Sequence, residues 1–182
     1  MKYYTEISLN NGQTCCLRNG TEQDGQTALD IFLRTHEETD FLRSYPDENT
    51  LDARKEGLYL KEKAESENEI EILAVVEDVV VGSAGIEAVG TNYKDRHRAE
   101  FGVSVLKGYW GLGIGWALLD ACIECAKTAG YVQLELSVVA ENARAVSMYR
   151  KAGFVEYGRN PKGFRSRLTG FQEVIYMRRE LG

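Results

Sequence analysis

Apolar and polar positions alternate at the start of the chain. Tyr3 to Leu9 and Gln13 to Arg18 read as strands, and Asn10-Asn11-Gly12 between them suits a hairpin turn. From Thr21 to Glu38 the period becomes helical, with Ala28, Leu29, Phe32 and Leu33 on one face and Thr21 or Asp24 as N-cap. Phe41 to Pro46 breaks the pattern. Leu51 to Ser66 resumes it as a second helix, charged on one face, with Leu58 and Leu60 among its apolar residues and Gly57 a weak point in its middle. Strands return at Ile70 to Glu77 and Val79 to Ala88, around a tight turn near Glu77-Asp78, and at Arg98 to Leu106. Three strands so close in sequence pair most economically as an antiparallel meander. Ile114, Leu118, Cys122 and Cys125 form one stripe of a helix over Ile114 to Ala129, which Gly130 ends. Tyr131 to Val139 reads as a strand, and Asn142 to Ala152 as a short helix capped by Asn142 and stopped by Gly153. Phe154 to Gly158 and Phe171 to Glu180 read as a final strand pair, with Pro161 to Arg167 as a basic loop between them.

This order predicts an α/β (α+β) fold: a mixed, mostly antiparallel central sheet with helices on both faces. With 182 residues and no internal repeat, the chain is expected to form one domain over 1–182. No stretch approaches the ~20 apolar residues of a membrane span. Met1 to Asn10 lacks the apolar core of a secretory leader, so a cytoplasmic protein without a membrane partner is expected. The net charge of −6 argues against a nucleic-acid partner, which requires clustered Lys and Arg. Cys15 and Cys16 alternate on a strand, and Cys122 and Cys125 have CxxC spacing. Besides the other cysteine pair, only His36 and His97 are on hand as further zinc ligands, so no metal is expected and the pair reads as buried helix surface.

The chemistry concentrates in Trp110-Gly111-Leu112-Gly113-Ile114-Gly115, between a strand and a helix. Glycines let backbone approach a ligand closely, and the helix that follows offers unbonded N–H groups and the positive end of its dipole. Together these suit a pyrophosphate. A dinucleotide fingerprint requires a sixth-position glycine, but Trp116 and Leu118 stand there, which counts against an NAD-dependent oxidoreductase. No G-K-[ST] closes a phosphate loop either. Coenzyme A is the remaining familiar pyrophosphate ligand.

The turn resembles motif A, [Q/R]-x-x-G-x-[G/A], of the GCN5-related N-acetyltransferase (GNAT) superfamily. Gly113 and Gly115 match the small positions, and Trp110 replaces the usual Gln or Arg. Asn142-Ala143-Arg144-Ala145-Val146-Ser147-Met148-Tyr149-Arg150-Lys151-Ala152-Gly153-Phe154 resembles motif B, N-x-x-A-x-x-x-Y-x-[KR]-x-G-F, at Asn142, Ala145, Tyr149, Lys151, Gly153 and Phe154. Asn142 and Tyr149 are two helical turns apart and share a face. The resemblance spans roughly Glu69 to Gly182, with the amino-terminal half a looser fit.

The resemblance implies an acetyl-CoA-dependent N-acetyltransferase acting on a small-molecule or peptide amine. Val103, Ser104 and Val105 would lie along the pantetheine arm, Trp110 to Gly115 around the pyrophosphate, and Asn142 and Tyr149 along the cleft. A strand N–H of Val105 or Val103 would hold the thioester oxygen, and Tyr149 would be the general acid. Glu100 is the first candidate for base and Glu135 the second. His97 reads as a solvated loop residue. Glu37, Glu38, Asp40, Asp47 and Glu48 are expected to roof the acceptor cleft and attract a protonated amine. The carboxy-terminal strand pair is a candidate homodimer surface. A non-catalytic acyl-CoA-binding module on the same fold is the alternative function.

Overall fold

The computed structural model describes residues 1–182. Its elements follow the order β1 (Tyr4–Ser8), β2 (Thr14–Asn19), α1 (Gly25–Glu38), α2 (Ala53–Glu65), β3 (Ile70–Val76), β4 (Val79–Ala88), β5 (Arg98–Val105), α3 (Ile114–Thr128), β6 (Gln133–Val139), α4 (Ala143–Lys151), β7 (Val155–Ser166) and β8 (Gly170–Glu180). The strands form one sheet in the order β1-β2-β3-β4-β5-β6-β8-β7. Neighbours are antiparallel except β5 and β6, which are parallel. α3 and β6 follow β5 as a crossover, the connection that parallel pairing requires.

Successive residues of β5 point to opposite faces. Glu100 pairs with Glu87, which α2 meets through Lys63 and Tyr59. Phe101 pairs with Ile86 and packs on the other face against Tyr149 of α4. α3 shares this second face, where a β-carbon on Gly115 would stand 3.7 Å from Met148 Sδ. Helices therefore cover both faces, and the apolar core runs through the sheet from Leu17 and Ile72 to Leu118, Leu134 and Met177.

Local chemistry explains several boundaries. Asp52 and Asn142 cap α2 and α4 by accepting from Lys55 N at 2.8 Å and Ala145 N at 3.2 Å. Asp24 holds Thr21 N at 2.9 Å, so Thr21 and Asp24 together open the turn before α1. Gly57 looked like a defect in α2. A β-carbon there would sit 2.6 Å from Glu22 O, and one at Gly25 would sit 2.3 Å from Ala53 O. The two helices thus meet at backbone distance, which only glycine permits. Cys122 and Cys125 are buried and unpaired, and no group of His, Cys, Asp and Glu is arranged to hold a metal ion. No helix is long and apolar enough to cross a membrane.

One expected element differs. Pro161 to Arg167 is mostly strand: β7 continues to Ser166, with irregular pairing between Asn160 and Phe164. β7 is an edge strand, so the N–H that Pro161 lacks removes no inner ladder bond. Lys162 Nζ lies over the Phe171 ring of β8, 5.0 Å from its centre, a cation–π contact across the hairpin.

Candidate active site

The site begins where β5 and β6 part. They pair only from Arg98↔Gln133 to Glu100↔Glu135. Beyond this β6 continues with β8, and β5 with β4. Leu106 N donates to Val81 O at 2.9 Å and Val89 N to Arg98 O at 3.1 Å. With this register, even-numbered residues of β5 bond to β4 and odd-numbered ones face β6. The bridge at Glu100 engages the amide of Phe101. The N–H groups of Val103 and Val105 lie past it, facing the opening without a strand partner. Ser104 bonds Ser83 through its backbone and offers only its side chain.

Val105 leads into the glycine turn. Trp110 Nε1 donates to Val105 O at 2.7 Å and ties the turn to the strand end. Gly111 has φ 84° and Gly113, the N-cap of α3, has φ 98°, a region costly for other residues. A β-carbon on Gly113 would meet nothing closer than 3.9 Å, so the space beside the N-cap is open. The buried Ile114 side chain and half-buried Leu112 anchor the turn to the core, leaving backbone N–H groups at the dipole end of a 15-residue helix. This donor set fits a phosphate anion. Arg144 adds a cation: its guanidinium carbon is 5.7 Å from the Trp110 ring, and its Nη2 is 3.2 Å from where a Gly111 β-carbon would stand.

Tyr149 lies at the root of the opening. It is buried, with its ring edge-on to Phe101 at 6.2 Å and 5.9 Å from Phe154. Burial raises its phenol well above the ordinary value, so it stays protonated across the neutral range. Asn142, two turns earlier, uses its side-chain oxygen as the α4 cap.

The two carboxylates proposed as base are neighbours in very different states. Glu135 is nearly buried, receives both Arg98 Nε and Nη2, and takes a further bond from Gln133 at 2.6 Å. The Arg98 bonds hold its carboxyl below the usual range. Glu87, on the other side, is bonded by Lys63 at 2.9 Å and Tyr59 at 3.1 Å. Glu100 stands exposed between them. His97 is exposed, and its carbonyl starts the parallel ladder by accepting from Val132 N at 2.9 Å.

The acids expected to roof the cleft are largely engaged. Asp47 pairs with Arg167 at 2.8 Å, Glu48 accepts from Tyr45 N at 2.8 Å, and Glu38 accepts from Lys107 N at 2.6 Å. Asp40 binds Ser166 at 2.6 Å and Tyr45 Oη at 2.8 Å. These bonds join the α1–α2 segment to the β7–β8 hairpin around a cavity of about 300 Å³ that Arg43, Arg165 and Gln172 also line. A less obvious acid is Glu71 of β3, whose carboxylate lies over Gly85, 2.1 Å from its β-carbon position. Arg144, Asn10 and Glu71 were not read as site residues: motif B leaves the position of Arg144 open, and the other two reach the site through long-range pairing.

Residues 30–154 match the family described as Acetyltransferase (GNAT) family. L-amino acid N-acetyltransferase AaaT of Escherichia coli (strain K12) is 30% identical over 110 residues, 60% of this chain and 67% of that protein. The crystal structure of a GNAT-family acetyltransferase from Streptococcus pneumoniae superposes with a TM-score of 0.87 at 29% identity, covering 92% of this chain and 99% of that one. YncA from Salmonella typhimurium, described as a putative acetyltransferase with its cofactor acetyl-CoA, shares the fold at a TM-score of 0.79 and 18% identity over 92% of this chain and 94% of that one. Motif, geometry and likeness agree, and the chain belongs to the acetyltransferase (GNAT) family.

Proposed function

We propose that this protein, acting as a single domain over residues 1–182, transfers an acetyl group from acetyl-CoA to a primary amine of a small molecule or peptide. The observation that carries this reading is the pairing of two donor sets at one end of the sheet: the Val103 and Val105 amides past the last β5–β6 bridge, and the amides at the N-terminus of α3. Such a pair suits a ligand that is amide-like at one end and anionic at the other. The salmonella relative holding acetyl-CoA and the amino-acid acetyltransferase of E. coli support the same donor and an amine acceptor.

Bound acetyl-CoA supplies a thioester whose carbonyl carbon an amine attacks. The amide of Val105 or Val103 holds the carbonyl oxygen as negative charge builds on it, the role of an oxyanion hole. The N–H groups of the Gly111–Gly115 turn receive the pyrophosphate, with Arg144 as a nearby counter-charge. Tyr149 gives its proton to the departing sulfur. Glu100 accepts the proton of the amine, directly or through water. Glu135 is a poor base because Arg98 favours its ionised, fully bonded form. An amine panel with acetyl-CoA as donor, read by thiol release, tests the reading. Turnover of at least one primary amine is expected, and a protein inert to the whole panel while still binding acetyl-CoA would instead be the non-catalytic module.

A further inference from the structure

A turn that offers N–H groups to an anion has to send its carbonyl oxygens elsewhere. In the glycine turn two carbonyls are held by one residue from the other end of the chain. Asn10 N donates to Leu112 O at 3.1 Å, and Asn10 Nδ2 donates to Gly111 O at 3.0 Å, across 101 positions of sequence. In a planar trans peptide the C=O and N–H of one unit point in opposite directions. Fixing Gly111 O toward Asn10 therefore turns Leu112 N–H away from it, and fixing Leu112 O does the same for Gly113 N–H. Two bonds from Asn10 set the direction of two successive amides at the anion site.

Asn10 is itself held firmly. Leu9 N donates to Gln13 O at 2.8 Å, Gly12 N to Leu9 O at 2.9 Å, and Gln13 N to Asn11 Oδ1 at 3.1 Å. Gln13 Nε2 anchors the hairpin to Glu77 at 2.8 Å, and Leu9 is buried. The amide group of Asn10 is also the nearest group to the open side of Gly113, at 3.9–4.0 Å. Gly111 and Gly113 let the peptides rotate, and Asn10 selects one rotation.

We propose that Asn10 is a positioning residue for donor binding: it pre-orients the Leu112 and Gly113 amides toward the donor's pyrophosphate without touching the reacting atoms. This rests on the reading of the turn as the donor site. The test compares wild type, Asn10→Ala and Asn10→Asp. Calorimetry gives the Kd for acetyl-CoA. Turnover of an accepted amine is then measured with acetyl-CoA and with S-acetyl-N-acetylcysteamine, a donor that carries the thioester but no pyrophosphate. Asn10→Ala removes one side-chain donor and should weaken acetyl-CoA binding and raise its KM by about 3–10-fold, with kcat within about twofold. Asn10→Asp, which places a carboxylate against Gly111 O and beside the anion, should weaken it more. Neither change should alter kcat/KM for the truncated donor. Equal losses with both donors, a loss confined to kcat, or an unchanged Kd in both variants would overturn the assignment to Asn10 alone. A wild-type protein that does not bind acetyl-CoA would overturn the donor-site reading along with it.

Discussion

On the α3–α4 face, the groups at the opening come from one stretch of chain, Val103 to Tyr149, and most are backbone N–H groups whose direction φ and register decide. On the α1–α2 face they are side chains from α2, the turn before β3, β4, β5 and β6, charged and set against one another: Lys63 with Glu69 and Glu87, Arg98 with Glu135, and Glu100 left between. A site made of backbone is specified by short motifs and survives changes in the side chains around it. A site made of side chains is specified by pairing, and one substitution redistributes its charge. On the proposed reading, this difference separates a donor site fixed by backbone from an acceptor side open to change by substitution.

Gly113→Glu strikes the backbone-built side hardest. It places a side chain at φ 98° and a negative charge at the helix N-terminus. At 100 times its Kd, acetyl-CoA should stabilise the wild type by about 2.7 kcal/mol, roughly 5–10 °C in melting temperature. The variant should show no shift, and an undiminished one would remove the turn from the donor site. Tyr149→Phe keeps the ring against Phe101 and deletes only the proton donor. General acid catalysis is worth ~10²–10⁴-fold, so kcat should fall at least about tenfold with little change in acetyl-CoA affinity. An unchanged kcat leaves Tyr149 a packing residue.

Two further variants contrast neighbours on the charged face. Glu100→Gln should lower turnover and move the pH–rate profile upward while melting stays constant. Glu135→Gln should instead lower the melting temperature, because it strands Arg98. The folded-state value of Glu135 is depressed, so its contribution is complete above the unfolded carboxylate value, ~4.3. It is lost as pH falls through the lower folded value, so the melting gap to wild type should close in acid. Exchanged phenotypes for the two variants would reverse their roles. Glu71→Gln is the mildest. Burial, with Glu56 and Glu87 nearby, pushes this carboxyl up to about 7. The folded state then holds a proton that the unfolded state releases near ~4.3, so stability falls as pH rises from there to about 7 and is level above it. The variant should gain on the order of 1 kcal/mol, ~2–4 °C, at pH 8 and nothing at pH 4. A gain at both pH values would mean packing, not charge.

The glycine turn and the two helices beside it were legible in the sequence because their information is local. Asn10-Asn11-Gly12 and Glu77-Asp78 form the tight turns their composition suggests, with positive φ at Gly12, Glu77 and Asp78. Gly113, Asn142 and Tyr149 fall at the helix positions their spacing set. The charge pairing on the other face was not legible, because composition counts charges without saying which ones meet. Asp47 reads as a free acid in the sequence, but Arg167, 120 positions away, pairs with it. Glu135 and Glu100 read alike as strand carboxylates, and only strand pairing shows that one is held by Arg98. Pro161 to Arg167 looked like a loop because proline and basic residues are rare within sheets, a bias that an edge strand escapes. The reach of Asn10 to Leu112 has no sequence signature at all.

The attachment of Trp110 to the end of β5 has an optical consequence. The chain has two tryptophans, and the other, Trp116, stands in the first turn of α3. Their relative exposures are 37% and 45%, so both indoles face solvent across the same few residues. Light absorbed by indole alone is therefore emitted from this turn and from nowhere else in the molecule. Its emission maximum and quenching track the hydration of the helix entrance, so the native protein carries a label-free gauge of that one corner.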